Sequence, residues 1–171
     1  MKLLLILILS LSFTLTAFGQ DYTDSSFTNK AEAKNLTVNS LKEGKWLEYI
    51  GYDDTLGAPY EEDVTGTNKP YIYYRLTVYK TGKPSGIVRQ YYKDGVLKKE
   101  TPFINGRIEG IEKTYYDNGK LYSETPYTSS QINGDVKEYY MSGRLLRVIT
   151  YSYGIQRQTK KYDDNGNEIK H

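Results

Sequence analysis

The sequence has no cysteine and only one histidine, His171, which is its last residue. Without cysteine there is no disulfide framework, thiolate metal site or thiol nucleophile. Without an internal histidine, the commonest general base and a common metal ligand are also missing. The formal net charge is only +2, which gives no basis for nucleic-acid binding. We therefore predict a protein that is not an enzyme and uses no metal or cofactor.

Adjacent carboxylates are the remaining candidates for chemistry, at Asp53-Asp54, Glu61-Glu62-Asp63 and Asp163-Asp164. Neighbouring residues of a strand point to opposite faces, so such pairs are usually solvated. The string "DDNGNE" from Asp163 partly resembles a calcium-binding loop but does not meet the twelve-residue pattern. No phosphate-binding loop, dinucleotide fingerprint or Gly-x-Ser-x-Gly element occurs.

The first nineteen residues differ from the rest of the chain. Lys2 precedes an apolar run from Leu3 to Leu15, and Ala17-Phe18-Gly19 follows. A basic start, an apolar stretch and a small-x-small exit are typical of a secretory signal peptide, and the run is short for a membrane span. We predict a signal peptide over residues 1–19 and export to the periplasm, the outer envelope or the extracellular space.

The rest of the chain repeats with a period of 24 residues. The string "IVRQYYKDGVLKKETPF" begins at Ile87, and the similar string "IEKTYYDNGKLYSETPY" begins 24 residues later at Ile111. Glycine, tyrosine, leucine and aromatic residues recur in register, in columns that include Gly86/Gly110/Gly134, Leu97/Leu121/Leu145 and Tyr79/Phe103/Tyr127/Tyr151. So regular a period is the signature of a repeat architecture.

Each repeat is predicted to be a β-hairpin. The first arm, such as "GIEKTYY", is rich in β-branched and aromatic residues, which favour strands. The turns "KDG", "DNG" and "MSG" favour two-residue hairpin loops, because Gly and Asn tolerate positive φ. The predicted turn glycines are Gly95, Gly119, Gly143 and Gly166. Pro102 and Pro126 are expected at bulges or where a backbone N–H would face solvent.

Tyrosine is abundant, with 19 residues against 4 Phe and 1 Trp. Adjacent tyrosines of a strand point to opposite faces, so stacked hairpins are expected to form one aromatic ladder on each face. Most of these residues would be structural, but the ladders are also a candidate binding surface. The six candidates are Tyr91, Tyr115, Tyr139, Tyr92, Tyr116 and Tyr140.

The ends of the repeat array are irregular, as capping units are expected to be. A polar, aperiodic stretch over residues 20–41 is predicted to be a flexible N-terminal arm. The repeat domain covers 42–171, with units at about 44–85, 86–109, 110–133 and 134–156 and a cap at 157–171. The first unit carries an acidic 18-residue insertion. This insertion is a candidate binding loop, through Asp53, Asp54, Tyr60, Glu61, Glu62 and Asp63.

The strings "YYKDGVL", "YYDNGKL" and "YYMSGRL" resemble the MORN repeat, in the variant form common in exported and antitoxin-labelled bacterial proteins. The resemblance covers about residues 71–169, with a weaker unit at 44–52. It implies an all-β fold of stacked antiparallel β-hairpins in an elongated, mostly single-layer twisted sheet. It also implies binding rather than catalysis, through protein partners, self-association or membrane lipid.

These observations favour an exported module for protein–protein interaction or scaffolding at the bacterial envelope. Two alternatives stay open. The tyrosine ladder could bind a glycan or an anionic membrane surface, since aromatic rings stack on sugars and basic side chains flank them. The chain could also be an antitoxin-like component of a toxin–antitoxin pair, which an export signal fits poorly if the toxin is cytoplasmic.

Overall fold

The computed structural model describes residues 27–50 and 73–170. The predicted signal peptide, the first part of the arm and the acidic insertion lie outside these ranges. The candidate loop residues Asp53, Asp54, Tyr60, Glu61, Glu62 and Asp63 therefore lie outside the described residues too.

The described residues form fourteen β-strands and one short 3₁₀ turn at Lys30–Glu32. The strands are β1 (Leu36–Val38), β2 (Leu41–Ile50), β3 (Tyr73–Lys80), β4 (Lys83–Pro84), β5 (Gly86–Tyr91), β6 (Leu97–Ile104), β7 (Arg107–Ile108), β8 (Gly110–Tyr115), β9 (Leu121–Thr128), β10 (Gln131–Ile132), β11 (Gly134–Tyr139), β12 (Leu145–Ser152), β13 (Ile155–Tyr162) and β14 (Glu168–Ile169). Across the two described ranges, no helix is long and apolar enough to cross a membrane.

All strands join one antiparallel sheet that does not close on itself. The main path runs β1-β2-β3-β5-β6-β8-β9-β11-β12-β13-β14, so each hairpin pairs with the next along the chain. The short strands β4, β7 and β10 pair with β3, β6 and β9 as the chain turns back. The prediction of an all-β array of stacked antiparallel hairpins is confirmed.

The turns at the four predicted glycines have three-residue loops rather than the expected two. In the first, the Gly95 N–H donates to the Tyr92 carbonyl at 2.9 Å, and the Tyr92 N–H donates to the Val96 carbonyl at 2.8 Å. Gly95, Gly119, Gly143 and Gly166 take φ of 91°, 77°, 86° and 87°. Asp94 and Asn118 are not among the positive-φ residues; their side chains instead accept the N–H two residues on. This is the turn and glycine bulge common in three-residue hairpins.

The two-residue turns lie on the other long side of the sheet. Asn105-Gly106 is an example, with φ of 51° and 80° and with Ile104 paired to Arg107. Positive φ at both central residues matches the right-handed twist of the flanking strands. The prediction placed this turn type at the wrong link, because it used the Asp-Gly and Asn-Gly pairs without the strand register. Equivalent pairs are Asn39-Ser40, Thr81-Gly82, Ser129-Ser130 and Tyr153-Gly154.

The glycines that begin each unit lie opposite an aromatic residue. Gly44 pairs with Tyr79, and the later pairs are Gly86 with Phe103, Gly110 with Tyr127 and Gly134 with Tyr151. A Cβ on Gly134 would lie 3.1 Å from Pro126 Cγ, and one on Gly110 would lie 3.3 Å from Pro102 Cγ. Each proline therefore packs against a glycine of the next unit, where a side chain would not fit. This contact explains why the proline and the glycine both recur with the repeat.

The apolar core lies at the N-terminal end of the sheet. Phe27 and Leu76 have no exposed surface, and Val78 is 1% exposed. Tyr91 completes the buried cluster, and Ala33 packs against it. This stretch is thus held to the sheet at two places, by Phe27 in the core and by β1 on β2, and most of its other residues are exposed. The flexibility of the predicted arm over residues 20–41 stays a prediction, and one aromatic anchor fixes its position at Phe27.

Candidate binding surface

The strand register assigns every side chain of the sheet to one of two faces. Residues directly opposite each other on paired strands share a face. One row crosses nine strands, and we call the face that carries it the arm face, because Phe27 packs there. The row is Leu47, Leu76, Arg89, Glu100, Lys113, Glu124, Lys137, Val148 and Lys160.

The arm covers this face over β2, β3 and β5, which we call the covered part. Arg89 Nη1 donates to the Phe27 carbonyl oxygen at 3.2 Å, and Arg89 Nε donates to Glu100 Oε1 at 2.9 Å. The Lys45 ammonium lies 5.3 Å from the centre of the Phe27 ring, within reach of a cation–π contact. The covered part thus holds the segment at Phe27 through an apolar pocket and flanking cations.

From β8 to β13 the arm face has no such cover from the described residues, and we call this the open part. Ile111 is 52% exposed there. On β11 the exposure alternates: Asp135 and Lys137 are exposed on the arm face, whereas Val136 and Glu138 are buried on the opposite face. The open part therefore presents apolar and charged side chains to solvent on one side of the sheet.

On the opposite face, many side chains pair with one another across the strands. Arg147 Nη2 donates to Glu138 Oε1 at 2.7 Å, and the hydroxyl of Thr101 donates to Glu112 at 2.7 Å. Near β2, the Glu48 carboxylate accepts from Lys42, Arg75, Thr77 and Tyr79. Burial alone would raise the pKa of Glu48, but Lys42 and Arg75 outweigh it and lower the pKa. These carboxylates have partners within the sheet, which makes this face structural.

The predicted tyrosines of the first row have internal partners on the arm face. Tyr91 is buried and stacks on Tyr74 at 5.0 Å between ring centres. The Tyr115 hydroxyl donates to Glu100 at 2.7 Å, and the Tyr139 hydroxyl donates to Glu124 at 2.8 Å. Burial and the Glu100 hydrogen bond raise the pKa of Tyr115. Burial and Glu124 raise the pKa of Tyr139 to about 12.

The tyrosines of the second row connect successive turns. The Tyr116 hydroxyl donates to the Tyr139 carbonyl at 2.6 Å, and the Tyr140 hydroxyl donates to the Tyr162 carbonyl at 2.9 Å. Tyr92 and Tyr116 are only 8% and 7% exposed. Equivalent strands lie two strand spacings apart, about 10 Å, so rings of one row do not stack on each other. A binding role for either row of tyrosines stays a prediction.

The described residues contain no group of three His, Cys, Asp or Glu side chains that could hold a metal ion. The string that begins at Asp163 forms a turn. Asp163 Oδ1 accepts the backbone N–H of Asn165 at 2.9 Å and that of Asn167 at 2.8 Å. The Asn167 side-chain amide also donates to Asp163 Oδ2 at 3.1 Å, and this bond, together with the backbone hydrogen bonds, lowers the pKa of Asp163. Turn formation therefore accounts for the carboxylate that resembled a calcium ligand.

The sequence reading missed the charged row on the arm face. Its signal was present, because Arg89, Lys113 and Lys137 are 24 residues apart and so are Glu100 and Glu124. Along the chain, nothing indicates that the basic column and the acidic column belong to one row. Only the register of β5, β6, β8, β9 and β11 shows that they alternate across the sheet.

A comparison with family models matches the MORN repeat variant at residues 84–105 and 108–128. No curated protein and no solved structure matches the chain. MORN repeats are generally non-catalytic and generally bind proteins or membranes. The matched stretches coincide with the hairpins of β4 to β9, whose strand pairing and turn glycines recur in the following unit. These two stretches are therefore MORN repeats of the variant type, which confirms the resemblance that the sequence predicted.

Proposed function

We propose that this chain is a non-enzymatic binding module that holds a protein partner on the open part of the arm face. The observation that carries the proposal is the docked arm. In the covered part, the same face already binds a polypeptide segment through Phe27 and the cation of Arg89. The open part repeats the backbone of that surface without a covering segment from the described residues.

The chemistry of the open part suits a protein partner. Ile111 and Pro126 pair across β8 and β9, and both carry apolar surface on the arm face. Exposed Lys137 and Asp135 lie one unit further along the sheet. An apolar centre with charged neighbours is the usual composition of a protein interface. The glycan alternative depends on exposed tyrosine rings, whereas Tyr91, Tyr92 and Tyr116 are buried.

Photo-crosslinking tests which face binds. A photoreactive phenylalanine analogue is placed at Ile111 on the arm face in cells that make the full chain. A matched variant carries it at Thr159, which is exposed on the opposite face of β13. We expect the first variant to crosslink a specific protein and the second to crosslink none. Equal crosslinking at both positions, or none at Ile111, would contradict the proposal.

The proposed place of action is the bacterial envelope, where the chain would serve as an exported scaffold. The first nineteen residues support this, because they have the pattern of a secretory signal. Cell fractionation tests it. We expect the mature protein in the periplasmic, envelope or secreted fraction and a shift to the cytoplasm when residues 3–15 are deleted. A cytoplasmic location of the unaltered chain would remove the envelope from the proposal and revive the antitoxin alternative.

Self-association is a second candidate, and the free edge of β13 favours it. β12 pairs with β13 on its inner side, and β14 pairs only with Lys161 and Tyr162 on its outer side. Residues 155–160 therefore have no strand on their outer side among the described residues. An unpaired edge can accept a strand from another chain. Sedimentation of the full chain over a hundredfold range of concentration would reveal a dimer. A constant monomer mass would exclude this candidate.

A further inference from the structure

The charged row on the arm face alternates in sign and then stops alternating. Arg89, Glu100, Lys113, Glu124 and Lys137 follow one another across five strands. The next position would hold a carboxylate if the pattern continued. It holds Val148 instead, and Lys160 follows on β13. Two cations thus flank one apolar side chain at the end of the open part.

The lysines at this end lack ion pairs. Among the described residues no salt bridge involves Lys137 or Lys160. The neighbouring carboxylate, Glu124, accepts the hydroxyl of Tyr139 instead. Lys137 and Lys160 lie two strands apart, roughly 10 Å between backbones. Their charge is therefore available to a ligand that brings its own carboxylates.

The covered part contains the equivalent arrangement with its ligand in place. The corresponding residues on β2, β3 and β5 are Leu47, Leu76 and Arg89. Leu76 corresponds to Val148, which follows it by three repeat periods. There the apolar centre packs against Phe27, and the cation binds a carbonyl of the same segment. At the other end of the sheet the apolar centre is smaller and both neighbours are cationic. That difference changes the chemistry of the segment that fits.

We propose that the row Lys137–Val148–Lys160 binds an extended, acidic segment of a partner protein. An apolar side chain of the segment would pack on Val148, and carboxylates on either side of it would pair with the two lysines. This inference rests on the proposed function and names the chemistry of the partner. A polypeptide is favoured over a lipid surface, because the arm shows a chain segment bound at the equivalent positions and because only two cations face one apolar residue.

A blocked synthetic peptide containing Glu-Ser-Val-Ser-Glu serves as the probe. In an extended strand alternate residues share a face, so its two glutamates and its valine point the same way. Binding to the full chain is measured by fluorescence anisotropy at 150 mM salt. The neutral peptide Gln-Ser-Val-Ser-Gln has the same shape without the charge. We expect it to bind about 3- to 10-fold more weakly, as two exposed ion pairs predict.

Charge-reversal variants locate the site on the protein. Lys137→Glu and Lys160→Glu are each expected to weaken binding of the acidic peptide by about 3- to 10-fold. Lys161→Glu is the matched control, because it changes the net charge equally on the same strand but lies on the opposite face. It should change binding less than twofold at 150 mM salt, where charges more than about 8 Å apart are screened. Circular dichroism confirms that each variant is folded.

Three results would overturn the inference. The first is an equal loss of binding in the Lys161→Glu and Lys160→Glu variants, which would indicate attraction to the whole chain. The second is equal binding of the acidic and neutral peptides. The third is binding to vesicles with anionic headgroups, lost in Lys137→Glu, without binding of the peptide; this would assign the row to a membrane. Crosslinking at Ile111 with any of these results would leave the proposed function standing without the acidic segment.

Discussion

The covered and open parts of the sheet share a backbone but differ in what stabilises them. In the covered part, Phe27, Leu76 and Val78 form a closed apolar core. In the open part, the equivalents of Leu76 are Glu124 and Val148, and neither is fully buried. Tyr139 and Glu124 are joined there by a hydrogen bond in place of apolar packing. One repeat frame therefore accommodates an apolar interior at one end and a polar, exposed surface at the other.

The frame permits this because backbone hydrogen bonds connect successive units in the same way. The backbone N–H groups of Gly106, Ser130 and Gly154 each donate to a backbone carbonyl of the preceding turn, at 2.7–2.9 Å. The acceptors are the carbonyls of Pro84, Ile108 and Ile132, respectively. These bonds recur whatever the arm face carries. In repeat proteins, stability is close to a sum of unit and neighbour terms. The arm face of the later units is thus free to differ from unit to unit.

The largest expected effect distinguishes the two parts directly. Leu76→Ala should lower the free energy of unfolding by about 2–5 kcal/mol, because it leaves a cavity in a fully buried core. Val148→Ala, at the equivalent position of the open part, should cost less than about 1 kcal/mol, because its side chain is only half-buried. Urea denaturation of both variants measures the difference. Similar losses would show that the open part is packed by something beyond the described residues.

The next effect should be the same in both parts. Gly119→Val forces a β-branched residue to a φ of 77° and should cost about 1–3 kcal/mol, although no atom lies within 4 Å of the added Cβ. Gly95→Val introduces the same strain at 91° in the first turn of the array. Thermal denaturation should show comparable losses. An unchanged melting temperature for Gly119→Val would contradict the turn assignment.

A smaller effect tests the bonds that connect the turns of the open part. Tyr116→Phe removes the hydroxyl that donates to the Tyr139 carbonyl and should cost about 1 kcal/mol, because it removes one buried hydrogen bond. Tyr153→Phe is the control, since Tyr153 is 63% exposed. Equal stability of the two variants in urea would show that the Tyr116 hydroxyl does not stabilise the fold.

The smallest expected effects concern how stability depends on pH. Glu48, on the opposite face near β2, and Tyr139, on the open part, respond to pH in opposite directions. The pKa of Glu48 is lowered, so its contribution is present above its ordinary pKa of 4.5 and is lost as the pH falls below it. The pKa of Tyr139 is raised to about 12, so its contribution is present below 10 and is lost as the pH rises from 10 to 12. Glu48→Gln should flatten the acid limb of the stability profile, and Tyr139→Phe should flatten the alkaline limb. Unchanged limbs in both variants would contradict these assignments.

The repeat and its main features could be predicted from single residues at fixed spacing. Gly95 and its equivalents mark turns because an L residue is strained at positive φ, and Tyr-Tyr pairs mark strands. The two-residue turn was predicted at Asp94-Gly95 and its equivalents but lies at Asn105-Gly106 and its equivalents, because the two dipeptides look alike. Their loops differ in length, and loop length follows from which strand residues pair. The packing of the arm on the sheet was not predicted, because Phe27 is a single apolar residue in a polar stretch.

The sequence by itself determined the period, the hairpin unit, the turn glycines and the resemblance to the MORN repeat, because these depend on local conformational preference and on recurrence. Only the tertiary structure decided which residues face each other across strands. It brought Arg89, Glu100 and Lys113 into one row and placed Phe27 on Leu76. The physical reason is that successive residues of the row from Arg89 to Val148 are 11 to 13 positions apart in the chain, and a shift of one residue would move every side chain to the other face. The binding surface therefore depends on register, which the column pattern alone does not specify.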